Sequence, residues 1–183
     1  GSVLPPPRIR ERKPSNPSAS IHLESLYWPP KVFTAKDGIM RTIFFYQVQG
    51  NSTGVLQHVE PVAVFYVTHD SGTTWKSTTP LPVKVGPNSL VETETLPSDF
   101  ADINNGWIAD HGALYSTTNR GHEWTTVPTV GFPVANQLNF VSAQVGWAIR
   151  RVVGEMKSVP PSLFKTVDGG RTWTPVTYAI SPR

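Results

Sequence analysis

From Ile21 onward the chain reads as short β-prone runs of apolar residues with turn residues between them. No segment sustains a 3.6-residue apolar period over ten or more positions, so the pattern predicts strands rather than helices. Candidate strands lie at 40–47, 62–68, 107–109, 113–116, 138–141, 147–150 and 163–166. The expected class is all-β. Residues 1–20 break the pattern with a Pro triplet, a charge run and a Ser/Pro stretch, a composition that predicts a disordered basic linker.

Three segments of the remainder align in register. Thr68-His69-Asp70-Ser71-Gly72-Thr73-Thr74-Trp75, Thr117-Thr118-Asn119-Arg120-Gly121-His122-Glu123-Trp124 and Thr166-Val167-Asp168-Gly169-Gly170-Arg171-Thr172-Trp173 all read Thr-x-Asp/Asn-x-Gly-x-x-Trp. Asp70, Asn119 and Asp168 are spaced evenly, 49 residues apart. A weaker repeat, Gly106-Trp107 and Gly146-Trp147, precedes the second and third copies. Because Trp107 lies 17 residues before Trp124 and Trp147 lies 26 before Trp173, the equal spacing is partly accidental. The register of the eight-residue segment is the dependable feature.

These residue types suit a tight turn. An Asp or Asn side chain can accept from backbone N–H groups a few residues on, Gly takes a positive φ at little cost, and a Thr hydroxyl adds a further bond. The Trp ring covers the hairpin and keeps its N–H near a polar group. Asp70, Gly72, Trp75, Asn119, Gly121, Trp124, Asp168, Gly170 and Trp173 are therefore read as structural. The alternative, that Asp70 and Asp168 are paired catalytic carboxylates, is weakened by Asn119, since an amide keeps the hydrogen bonds but cannot shuttle a proton.

These segments resemble the Asp-box, or BNR-repeat, β-propellers, a group that includes sialidases, some endoglucanases, sortilin-type receptor domains and photosystem assembly factors. The third copy, with Leu163-Phe164-Lys165 before it, is similar to the commonest form of the segment, and the Gly-Trp pairs look most like the assembly-factor branch. The resemblance implies three four-stranded antiparallel blades near 21–80, 81–130 and 131–183, each with the Asp box joining its third strand to its fourth. Three blades fall short of the usual ring of four to eight, so closure by a missing part of the parent protein or by a second copy is expected. The first blade departs most, because no Trp follows Gly38 and residues 47–61 read as a long loop.

Composition narrows the chemistry. The net charge of +3 arises wholly in the tail, where Arg8, Arg10, Arg12 and Lys13 face only Glu11; a neutral folded body argues against nucleic-acid binding. With no Cys, disulfides, thiolate metal sites and Cys nucleophiles are excluded. No apolar run reaches about 18 residues, so no membrane insertion is expected in this segment. Gly1-Ser2 reads as a cloning remnant, and the chain is expected to be part of a longer secreted or membrane-anchored bacterial protein.

Catalytic signatures are sparse. His22, His58, His69, His111 and His122 show no ligand spacing, and no phosphate cradle or nucleophile elbow occurs, so neither metal nor cofactor is expected. The early Arg-Ile/Leu-Pro element of sialidases is not matched, since Arg10 follows Arg8-Ile9. A glycosidase needs two carboxylates about 5 to 9.5 Å apart, and Asp110 with Glu155 is the pair to nominate. Asn51-Ser52-Thr53 fits an N-glycosylation acceptor in a eukaryotic secretory route only.

The expected function is a non-catalytic protein-binding, assembly or cell-surface recognition module, with a protein or carbohydrate partner; a glycoside hydrolase fragment is the alternative. The resemblance places the ligand face away from the Asp boxes. There it gathers 47–61, Asp110, His111, Arg150, Arg151 and the loop after them, 81–88 and 129–133.

Overall fold

A computed structural model of the chain describes residues 4, 20–49, 56–82, 96–150 and 162–177. They are all-β, in fourteen strands and three antiparallel sheets. Two compact units emerge, one within Gly1–Glu94 together with Arg120–Glu123, the other within Thr95–Asn119 and Trp124–Arg183.

The first unit holds one sheet, from β1 (Ser20–Tyr27), β2 (Lys31–Val32), β3 (Gly38–Gln49), β4 (Leu56–Thr68), β5 (Lys76–Ser77) and β6 (Leu81–Pro82). β1 and β2 share one edge of β3, while β5 and β6 share the far edge of β4. Six strands thus fill four positions. Residues 63–67 of β4 are buried without a break, so both faces of this central strand are covered. The β3–β4 register shifts between Phe44 and Tyr46, opposite buried Pro61; a residue without an N–H is tolerated at such a bulge. Leu4 of the tail is half-buried and packs against the Phe44, Val64 and Tyr66 cluster, so one apolar residue of the expected linker joins the core.

Residues 47–61 are not the expected loop. Gln47, Val48 and Gln49 pair with His58, Gln57 and Leu56, extending the β3–β4 ladder and leaving only 50–55 outside the described residues. The polar, Gly-containing composition concealed strands held by cross-strand pairing rather than by local preference.

The second unit holds two sheets. One is β7 (Ser98–Phe100), β8 (Gly106–Asp110), β9 (Ala113–Thr117) and β10 (Thr125–Val127); the other is β11 (Gln137–Phe140), β12 (Gly146–Arg150), β13 (Ser162–Thr166) and β14 (Thr174–Pro175). Each runs in simple sequence order, the antiparallel meander of a β-propeller blade. A shared core of Trp107, Ala109, Leu114, Ala135, Phe140, Ala148 and Trp173 packs the two together.

All three sheets share one register. Val32, Gly38 and Thr68 lie in a row across β2, β3 and β4; Phe100, Gly106 and Thr117 form the same row in the second sheet, and Phe140, Gly146 and Thr166 in the third. Each row ends on the Thr that opens a Thr-x-Asp/Asn-x-Gly-x-x-Trp segment, and that segment connects the third strand position to the fourth.

Candidate functional site

The first and third repeated turns are bonded alike. Thr68 donates its hydroxyl to Asp70 Oδ1 at 2.8 Å and accepts the Gly72 N–H at 2.9 Å. Asp70 accepts the Thr74 N–H on Oδ1 at 2.8 Å and the Thr74 hydroxyl on Oδ2 at 2.6 Å. Thr166, Asp168, Gly170 and Thr172 repeat all four bonds. Trp75 and Trp173 donate Nε1–H to the carbonyls of Gly72 and Gly170, at 3.1 and 2.8 Å. Two left-handed residues in succession make the reversal: Ser71 and Gly72, Arg120 and Gly121, Gly169 and Gly170 all have positive φ. Only the third copy places glycine at both positions.

These bonds set the electrostatics. The Thr74 hydroxyl and N–H hold the Asp70 carboxyl down at about 2 against opposing burial, and Thr172 does the same for Asp168, also at about 2. Both acids are ionised at neutral pH, with their oxygens committed to the turn. In the second copy Thr117 donates to Asn119 Oδ1 at 3.0 Å. That copy carries Glu123 where the others carry Thr74 and Thr172. A carboxylate there has no proton to donate, and an amide at Asn119 avoids placing two like charges in one turn.

A second repeated turn, which the sequence reading missed, precedes each row glycine. Thr34 Oγ1 accepts the N–H groups of Lys36 and Asp37; Asp102 Oδ1 accepts those of Asn104 and Asn105; Ser142 Oγ accepts those of Gln144 and Val145. Its signal is an apolar residue, then Thr, Asp or Ser two places on, then Gly four places further: 32/34/38, 100/102/106 and 140/142/146. Hydrogen bonds from Asn105 and the Asn104 N–H hold the Asp102 carboxyl below its ordinary value, although burial pushes the other way. The two turn types meet through backbone bonds, Ser71 N–H to the Lys36 carbonyl at 3.0 Å and Gly169 N–H to the Gln144 carbonyl at 2.9 Å.

The sheets differ at the first residue of the row. Phe100 and Phe140 lie so close over Gly106 and Gly146 that an added Cβ would stand 2.4 and 2.5 Å from their ring atoms. Each ring also meets the Trp of its own turn edge-on, Phe100 with Trp124 and Phe140 with Trp173, both at 6.0 Å between centroids. The first sheet has Val32 there, 67 % exposed. A cavity of about 170 Å³ opens in place of the ring, lined among others by Val32, Asp37, Gly38, Ser71, Gly72 and Trp75. On its rim Asp37 Oδ1 lies 2.7 Å from His69 Nδ1, and the Arg120 guanidinium lies 3.2 Å from His69 Nε2. The His69 bond, with one from the Thr34 hydroxyl, holds the Asp37 carboxyl below its ordinary value.

Of the residues nominated for a ligand face, Asp110 and Arg150 hold equivalent register positions, four residues after Gly106 and Gly146 at the ends of β8 and β12. Asp110 ends β8, its side chain 8 % exposed, with Oδ1 2.6 Å from Nδ1 of His111. His111 and Gly112, both at positive φ, form a two-residue turn to Ala113, the geometry of a primed hairpin turn. Arg150 is exposed at the end of β12, its guanidinium 5.9 Å above the Phe164 ring. Glu155 and Arg151 lie outside the described residues, as do 83–88, so the Asp110 and Glu155 pairing falls there too. Among the described residues, no three His, Asp or Glu side chains gather as metal ligands.

Segment 129–133 is a correction. It was expected on the face away from the repeated turns, yet the Val130 N–H donates to the Arg171 carbonyl at 2.8 Å and the Trp173 N–H to the Val130 carbonyl at 2.9 Å. The third turn holds it. Gly131, at φ +73, passes so near that an added Cβ would stand 2.7 Å from the Trp173 carbonyl oxygen. Turn residues in the sequence marked a loop but could not say which backbone would receive it.

No family model and no curated protein matches the chain. Among solved structures it is similar to that of YCF48 bound to D1 peptide, with 17% identity, a TM-score of 0.39, and coverage of 84% of this chain and 44% of that one. The chain therefore spans under half the length of that protein's. The likeness is distant, and the fold described above stands on the sheets themselves.

Proposed function

We infer that the chain is a non-catalytic binding module of the Asp-box propeller type, serving protein binding, assembly or recognition at the cell surface of a bacterium. One observation carries this reading. The acids that recur in its repeats are consumed by the turns, since both oxygens of Asp70 and of Asp168 accept bonds from Thr neighbours and both carboxyls sit at about 2. A carboxylate so held is a poor general acid or base at neutral pH. Asn119 supports the same reading, because the turn forms there without an acid. What the repeats do supply is a series of rigid edges on which exposed side chains can be presented to a partner.

The competing hydrolase reading is tested directly. Chromogenic glycosides, a sialoside and a soluble β-glucan are incubated with the chain, and released product is measured. No turnover above buffer is expected; turnover lost on Asp110→Asn would overturn the proposal.

A further inference from the structure

Two sheets carry a phenyl ring at one register position where the first does not. Phe100 and Phe140 lie over their row glycines and meet the Trp of the repeated turn at 81° and 89°, with 6.0 Å between centroids. In the first sheet the glycine and the indole are both in place, as Gly38 and Trp75, but the residue at the start of the row is Val32. The atoms nearest to an added Gly38 Cβ would be the Lys31 carbonyl oxygen and the Thr68 methyl, both at 3.4 Å, and the Trp75 ring at 3.9 Å. No carbon of Val32 comes nearer than these, so the place of the ring stays open.

The cavity of about 170 Å³ is the result. It exceeds the roughly 150 Å³ of an apolar cavity known to take benzene, so a phenyl ring fits. The filled sheets supply the pose, over the glycine and edge-on to the indole. Val32 is 67 % exposed, so the place is reached from solvent. Two charged residues line it, Lys36 and Asp37. Asp37 is committed, its Oδ2 accepting the Thr34 hydroxyl at 2.8 Å and its Oδ1 lying 2.7 Å from His69 Nδ1. Lys36 is exposed and, among the described residues, makes no ion pair.

We propose that this cavity anchors a partner protein by the phenyl ring of a phenylalanine in an exposed segment, with an acidic residue next to that phenylalanine meeting Lys36. A side chain is favoured over a free aromatic compound because the pose it copies is that of a ring hung from an extended backbone, at the ends of β7 and β11. The acidic neighbour follows from the charge left available on the lining. The inference rests on the binding reading above and deepens it, naming what the partner must present.

Titration of the ¹⁵N-labelled chain with acetyl-Asp-Phe-amide tests the proposal, read at the Trp75 Nε1–H signal, whose indole lines the cavity. The shift should saturate with a Kd on the order of 1 mM, as expected for a ligand of this size. Acetyl-Asp-Leu-amide should bind about two- to tenfold more weakly, lacking the edge-on ring pair. Acetyl-Asn-Phe-amide should bind about two- to fivefold more weakly, a difference that Lys36→Gln should abolish. Val32→Phe fills the space with the chain's own ring. Gly38→Ala is accommodated in the empty cavity, its nearest neighbours at 3.4 Å, yet the same added carbon would stand 2.4 and 2.5 Å from the rings at Gly106 and Gly146. Each variant should therefore fold and weaken peptide binding about tenfold or more. No saturable shift by about 20 mM peptide overturns the proposal, as does undiminished binding to either variant. Benzyl alcohol binding as tightly as acetyl-Asp-Phe-amide would assign the cavity to a free aromatic compound and overturn the protein partner. Glycoside turnover is measured separately, so this site and the non-catalytic reading fail independently.

Discussion

Thr166→Val removes one oxygen from the third turn and keeps the side-chain shape, which makes it a stringent test of what holds that turn. Thr166 is 1 % exposed; its hydroxyl donates to Asp168 Oδ1 at 2.8 Å and accepts the Gly170 N–H at 2.9 Å. Valine loses a hydrogen bond to a charged group, worth about 1.5–3 kcal/mol, and strands a buried N–H, which costs about 1–3 kcal/mol. The two terms overlap, because Asp168 keeps its bonds from Thr172 and can recruit water. A net loss of about 2–4 kcal/mol follows. For a chain of this size, each kcal/mol lowers Tm by about 2–4 °C. Urea denaturation followed by far-UV circular dichroism gives the free energy, and Thr166→Ser, which retains both bonds, should cost about 1 kcal/mol for its missing methyl group. A Val variant within about 0.5 kcal/mol of the parent would refute the claim that this hydroxyl fastens the turn.

Acid titration offers a second check: Asp70 and Asp168 are depressed to about 2 in the folded chain from an ordinary 3.8, so their contribution is complete above the ordinary value and vanishes as pH falls through about 2. Tm should therefore fall through that window, and Asp168→Asn should make the fall shallower; an unchanged profile in the variant would contradict the assignment. Gly121→Val forces a β-branched residue to φ +81 and should cost about 1–3 kcal/mol in the same urea assay, a cost that an unshifted midpoint would deny.

The repeated turns were legible in the sequence because their bonds are short-range. Thr, Asp or Asn, Gly and Trp all fall within eight residues, and the chemistry of each side chain prescribes its bond to a backbone group two to four places away. Short β-prone runs between turn residues likewise determined the all-β class and seven of the fourteen strands found among the described residues. The second turn type was also local, but its variable first residue, Thr34, Asp102 or Ser142, hid the repeat until the row glycines were aligned.

Tertiary structure decided what depends on distant partners. The pairing of 47–49 with 56–58 rests on cross-strand bonds that a polar composition does not announce. The attachment of Val130 to the third turn joins segments more than forty residues apart. Above all, the cavity exists because Val32 stands where the other sheets place a phenyl ring, over a glycine and beside an indole from another part of the chain. A turn is written in neighbouring residues, but a space is written in the side chains that fail to meet across it, and only the folded register brings those side chains together.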